Sequence, residues 1–313
     1  MKELDRATQV LEDIKQGSYR ALAQGISWVE NNLTGYEELL MRLDGTQNAK
    51  VVGITGPPGA GKSTLVNSLL HYWTNTGKKV AVIAVDPSSP FNYGALLGDR
   101  IRMSEFYTNP NVYIRSLATR GSLGGLNPKI IEITDIVRSA PFDYILIETV
   151  GVGQSEVEIA GLADCTIVAL VPEAGDEVQT LKAGIMEIAD IFVVNKADRE
   201  AADTLYRNLR IMAHERAGTK TETPVIKTIA TQKQGIEELA GAIQTFLDTQ
   251  NELPQKRLHL LTEKSWLLIQ QYKMQGIDRR LLTNAIKDAL TLPDFNLYSF
   301  TNSYIHKMEQ YGG

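Results

Sequence analysis

Residues 56–63 read Gly-Pro-Pro-Gly-Ala-Gly-Lys-Ser, between the β-branched run "KVVGITG" (50–56) and the run "STLVNSLLHYW" (63–73). This is a full match to G-x-x-x-x-G-K-[ST], placed after a strand and before a helix. Few features constrain a fold as much, because the motif works only when a strand delivers the loop to a helix N-terminus. Gly56, Gly59 and Gly61 let the backbone N–H groups turn inward around phosphates, with Pro57, Pro58 and Ala60 filling the turn. Lys62 supplies a compact positive charge for the β and γ phosphates, and the Ser63 hydroxyl, followed by Thr64, can ligate magnesium. A nucleoside triphosphate is implied; the base is not.

The rest of the chain fits the same fold. Further β-branched runs occur at 79–86, 111–118, 143–149, 165–172, 191–197 and 224–230, several of them almost wholly apolar. Strands buried on both faces read this way, and with helical segments between many of them they predict an α/β fold with a mostly parallel central sheet. Residues 1–48 read as helical, with Gly25, Gly35 and Gly45 interrupting or ending the runs, and after about 254 the strands give way to three helical runs. The expected organisation is an N-terminal helical extension (1–48), a P-loop nucleotide-binding domain (49–253) and a C-terminal helical arm (254–313). Both ends are expected to pack on the core domain or on a second subunit.

Composition bounds the partners. The net charge is −5, so nothing electrostatic points to nucleic acid or an anionic membrane. The first ten residues carry mixed charge with no apolar run, so no signal peptide is expected, and no stretch approaches the ~18 apolar residues of a membrane span. Cys165 is the only cysteine, which excludes an intrachain disulfide and makes a reducing, cytoplasmic location the default.

Asn195-Lys196-Ala197-Asp198 ends the sixth run. The N-K-x-D order points to guanine. The Asp198 carboxylate can accept from both N1–H and the 2-amino group, a donor pair adenine lacks, while the stem of Lys196 covers the base. A second base loop is expected at Ile229-Ala230-Thr231, where the Ala230 N–H can meet the guanine O6. Ile229 stands where GTPases commonly have a hydroxyl. The acid at the end of the fourth run is Glu148, 85 residues after Ser63, and two further acids, Asp86 and Asp99, lie between them. Ser63, phosphate oxygens and these carboxylates could form a magnesium shell, the longer Glu148 reaching the ion from a strand set farther back. Simpler roles stay open: a helix cap for Glu148, a turn or N-cap before Pro87 for Asp86, a solvated charge paired with Arg100 or Arg102 for Asp99. The segment 173–183, "EAGDEVQTLKA", reads either as the polar start of a helix or as a mobile segment whose Lys182 meets transition-state charge. The Gly-rich "TRGSLGGL" (119–126) reads as a structural or partner-contacting loop.

These blocks together resemble the MeaB/ArgK family of GTPases, in the Glu-containing branch of the SIMIBI class. The resemblance runs through "GSYRALAQGISWVEN", "GITGPPGAGKSTL", "IAVDPSSPF", "LLGDRIRM", "IRSLATRGSLGGL", "IETVGVGQSEVE" and "GDEVQTLKAGIMEIADIFVVNKAD", and so covers nearly the whole chain. It implies a homodimeric, magnesium-dependent GTPase that binds GTP and GDP. Such a protein chaperones an adenosylcobalamin-dependent acyl-CoA mutase, usually methylmalonyl-CoA mutase, by gating cofactor loading and protecting or repairing the enzyme. It further implies that Glu148, Asp86 and Asp99 serve the magnesium site, and that 173–190, with Lys182, is a switch toward the mutase. No Asp-x-His-x-x-Gly pattern is present, so the cobalamin would be carried by the partner. Two other readings share the phosphate loop. A nickel metallochaperone needs clustered soft or imidazole ligands, whereas Cys165 and four scattered histidines (His71, His214, His259, His306) are all this chain has. A P-loop kinase needs an acceptor pocket with a base, and none is legible.

Overall fold

The computed structural model describes residues 2–44, 49–86, 103–119, 126–149, 155–174, 185–217, 222–249, 255–273, 279–291 and 295–311. Asp99, Lys182, residues 120–125 and the side chain of Asp86 lie outside this description.

All seven predicted strands form: β1 (Lys50–Thr55), β2 (Val80–Asp86), β3 (Val112–Ala118), β4 (Tyr144–Glu148), β5 (Cys165–Leu170), β6 (Ile191–Asn195) and β7 (Val225–Thr228). They make one seven-stranded sheet in the order β3-β2-β4-β1-β5-β6-β7, every pair parallel. β1 is central, with β4 on one side and β5 on the other. The chain therefore reverses its direction of travel across the sheet at β1, and the carboxyl ends of β1, β4 and β5 frame a crevice of the kind that α/β sheets use for ligands.

Side chains alternate across the sheet with the two-residue period of a strand. Val52 and Ile54 face one way, into a core with Leu65, Leu69 and Trp73 of α4 (Lys62–Asn75) and Leu239 and Ile243 of a later helix, Ile236–Thr249. Val51, Ala81, Ile83, Ile145 and Ile147 face the other way. Packed against them are α1 (Lys2–Lys15), α2 (Tyr19–Glu30), α3 (Tyr36–Met41) and α5 (Ile130–Arg138). The chain continues as α6 (Ser155–Leu162), α7 (Ile185–Ile188), α8 (Ala202–Ala217) and α9, the helix Ile236–Thr249 already mentioned. Three more helices follow: α10 (Gln255–Lys273), α11 (Arg279–Ala289) and α12 (Leu297–Tyr311).

One local expectation is corrected. Gly25 does not interrupt a helix; it lies inside α2 and is buried. A Cβ there would stand 3.2 Å from Ile14 Cδ1 and 3.3 Å from Leu39 Cδ2, so glycine permits α1 and α3 to close on α2. That close approach is why the helical pattern runs through it.

The chain divides into two compact units, Met1–Leu260 and Leu261–Gly313. The N-terminal helices belong to the same unit as the sheet. The second unit presents Trp266, Leu268, Ile269 and Leu281 to solvent at 47–63% exposure. No helix of the described residues is long and apolar enough to cross a membrane.

Candidate nucleotide-binding site

The phosphate loop leaves β1 and enters α4 at Gly61, which caps the helix with φ +81°. Glycine is required there twice over. The conformation is left-handed, and a Cβ would stand 2.5 Å from Asn195 Nδ2. Lys62 opens the helix and is 6% exposed. Its ammonium donates to the carbonyls of Gly56 (2.9 Å) and Pro57 (3.1 Å), which holds the charge over the concave side of the loop. Ala60 N–H donates to the Pro57 carbonyl at 3.2 Å and closes the turn.

Ser63 and Glu148 meet although 85 residues separate them. Ser63 Oγ donates to Glu148 Oε1 at 2.6 Å, and Glu148 is 4% exposed. Register explains the meeting: β4 lies directly beside β1, with Glu148 opposite Ile54, one residue before β1 ends. A hydroxyl and a carboxylate, both hard oxygen donors beside Lys62, form the kind of set that suits magnesium. Thr149 fixes the strand end behind them, donating through N–H to Ile54 O (3.2 Å) and through its hydroxyl to Thr55 Oγ1 (3.1 Å). Asp86 is the last residue of β2, which pairs with β4 at Ala84 opposite Glu148, so its backbone sits on the same carboxyl edge.

Asn195 joins three loops. It is 2% exposed. Its Nδ2 donates to Ala60 O in the phosphate loop at 2.9 Å, and its Oδ1 accepts from Thr228 Oγ1 at 3.1 Å and from Ala230 N–H at 3.3 Å. Lys196 follows in a left-handed conformation, φ +56°, and its ammonium donates to Gly59 O at 2.8 Å. Asp198 stands exposed on the next turn. The second base loop is closed by an antiparallel bridge between Ile229 and Gln234. Ala230 is buried and Thr231 exposed. Ala230 N–H, expected to face the guanine O6, is directed at the Asn195 side chain.

One anchor has no signature in the sequence. Ser68 Oγ lies 2.7 Å from Ala230 O and 2.9 Å from Thr64 O, tying the second base loop to α4. Serine in the middle of a helix is usually unremarkable, and only the packing of the turn Ala230–Gln232, just after β7, against α4 gives it this role. Cys165 is buried in β5.

A strand–loop–helix phosphate cradle, a Ser63–Glu148 pair and an Asn-Lys-Ala-Asp strand end on one carboxyl edge define a P-loop GTPase. More narrowly, the chain belongs to the MeaB family: the family described as methylmalonyl Co-A mutase-associated GTPase MeaB matches residues 22–280. A Pyrococcus horikoshii relative named as a GTPase is 42% identical over 96% of this chain and 98% of its own length. The Escherichia coli GTPase ArgK is 35% identical over 81% of this chain and 80% of its own. The mouse methylmalonic aciduria type A homolog, a mitochondrial protein, is 34% identical over 86% of this chain and 71% of its own. Among solved structures, one titled as a LAO/AO transport system kinase superposes with TM-score 0.66 at 25% identity, covering 97% of both chains.

Proposed function

We propose that this GTPase is magnesium-dependent and chaperones an adenosylcobalamin-dependent acyl-CoA mutase, most specifically methylmalonyl-CoA mutase. In this reading it gates loading of the mutase's cofactor and protects or reactivates the enzyme. The observation that carries the reading is the family match over residues 22–280, a family named for its association with that mutase. The mouse relative's name, from a disorder of methylmalonate, supports it.

The residues divide the work as follows. Gly56 to Thr64 cradle the phosphates, Lys62 holds the β and γ oxygens, and Asp198 and Lys196 select guanine. Ser63 and Glu148, with Asp86 and Asp99, would hold magnesium, which when bound neutralises charge on the β and γ phosphates. Lys182 meets transition-state charge once the partner is bound. The 254–313 arm makes a homodimer, 49–253 is the GTPase domain and 1–48 an extension that braces it. The protein works in the cytoplasm, and adenosylcobalamin stays on the mutase.

The test is GTP turnover by the purified protein with and without methylmalonyl-CoA mutase, the mutase either loaded with adenosylcobalamin or free of it. Slow intrinsic hydrolysis should rise with the mutase and depend on its cofactor state. A rate unaffected by either form overturns the client assignment. Lys182→Ala should keep wild-type GTP affinity and lose most of the stimulation, about 10²–10³ in single-turnover rate. Full stimulation of that variant would return the segment to an ordinary helix start.

A further inference from the structure

Gly53 lies in the middle of β1, the central strand, and its backbone is one that any residue can adopt. Conformation does not require glycine there; space does. A Cβ would stand 2.5 Å from Ile159 Cγ1, 3.1 Å from Ile159 Cδ1 and 3.0 Å from Ala163 Cβ. Both neighbours are buried, Ile159 in α6 and Ala163 just beyond its end. Ordinary carbon contact needs about 3.5 Å, so an alanine would be about 1 Å short of room. Ile159 is β-branched and stiff in a helix, and Ala163 has no rotamer to change, so relief must come from movement of α6 as a body. A glycine inside a strand weakens it and often marks such a close approach. We propose that Gly53 is a positioning residue for GTP hydrolysis: the bare strand seats α6, and the seat fixes where the chain returns after leaving Glu148. The inference rests on the GTPase assignment alone and is independent of the mutase reading.

Attachments along β1 give the seat its leverage. At the amino end, Asp164 follows α6 and closes on Val51 in both directions. Asp164 N–H donates to Val51 O (2.8 Å), and Val51 N–H donates to Asp164 Oδ2 (2.8 Å). Arg138 donates to both carboxylate oxygens of Asp164 (3.0 and 2.9 Å) and Arg257 to one of them (3.3 Å), so this end of the helix is fastened. In the middle, Ile159 and Ala163 rest on Gly53. At the carboxyl end, Thr149 N–H donates to Ile54 O, directly after the acid that accepts from Ser63. Residues 150–154 join Thr149 to Ser155, the first residue of α6. Both ends of that connection are therefore set by β1, the strand that also delivers the phosphate loop. With Asp164 as the pivot, Ile159 lies about 7.5 Å away and Ser155 about 13.5 Å, at the helical rise of about 1.5 Å per residue. A displacement of about 1 Å at Gly53 becomes about 2 Å at Ser155. Misplacement on that scale near a reacting centre can cost about 10²-fold in rate. GDP binding draws instead on 56–64 and 195–198, which α6 does not carry.

The experiment compares GDP affinity by calorimetric titration with single-turnover GTP hydrolysis, in the purified protein without a partner and below the melting temperature of each variant. Gly53→Ala should keep GDP affinity within about threefold of wild type and lose about tenfold or more in hydrolysis rate. Combining it with Ile159→Ala removes the nearest carbons and leaves only the lesser contact with Ala163. Hydrolysis by the double variant should return to within about threefold of Ile159→Ala alone. Ala163→Val crowds the same contact from the helix side and leaves β1 unaltered. It should reproduce the split between binding and turnover, and it carries the test if Gly53→Ala does not fold. Wild-type hydrolysis by a crowded variant overturns the proposal. So does an equal loss of GDP affinity and rate, which would place the fault in the phosphate loop. A double variant that stays about tenfold below Ile159→Ala overturns it too, by placing the fault in β1 itself. The mutase reading stands or falls in the stimulation assay, which none of these comparisons uses.

Discussion

Lys62 and Asp198 illustrate opposite ways of holding a charge. Lys62 is buried, and its ammonium is held by two loop carbonyls until phosphate oxygens compete for it. Lys62→Ala should therefore weaken triphosphate binding and nearly abolish turnover, and wild-type hydrolysis by that variant would disprove the phosphate-loop assignment. Asp198 is exposed on its turn, three residues after the buried Asn195. Asp198→Asn should shift preference from guanine toward xanthine nucleotides. The amide still accepts from N1–H but presents a donor to the 2-amino group, a mismatch of roughly 10³-fold. Competition between GTP and XTP measures it, and unchanged GTP selectivity would remove the guanine assignment.

At the scale of elements, the site depends on loops that touch one another. The phosphate loop, the Asn195 loop and the loop after β7 are tied through Asn195, Lys196 and Ser68. Gly61 lies against the Asn195 side chain, with room for no Cβ. Gly61→Ala would force a side chain onto Asn195 Nδ2 in a left-handed backbone. It should cost ~1–3 kcal/mol of stability and weaken GDP binding by tenfold or more. A thermal melt and a GDP titration check both; a variant as stable as wild type with unchanged affinity would mean the two loops separate without penalty.

For the whole molecule, the question is what the helices beyond Leu260 cover. Trp266 and Ile269 are each more than half exposed on α10, and Leu281 likewise on α11. Apolar side chains at that density are a recurrent mark of association, and the proposed homodimer would bury them. Sedimentation equilibrium should find a dimer. The double substitution Trp266→Glu with Ile269→Glu should shift it to monomer while leaving GDP affinity within about twofold, because the nucleotide site lies within Met1–Leu260. A wild-type monomer would remove the dimer proposal.

The strands and the identity of the motifs were legible from residue order, because backbone period and motif chemistry are local. The apolar runs located all seven strands. The runs overshoot the carboxyl ends by two residues at β5, β6 and β7 and by one at β1 and β4, where the chain turns into site loops such as the left-handed Lys196. Gly25 reads as a break because a glycine's cost to a helix is local, whereas its benefit, the approach of Ile14 and Leu39, lies elsewhere in the chain. Strand order could not be read, since seven similar apolar runs carry no label for their neighbours. Pairing β4 with β1 is what brings Glu148 within 2.6 Å of Ser63. Residue order supplied the lysine, the hydroxyl, the acid and the base motif. Only tertiary packing decided that they share one edge of one sheet, and that Asn195 and Ser68, from separate elements, tie the loops around them together.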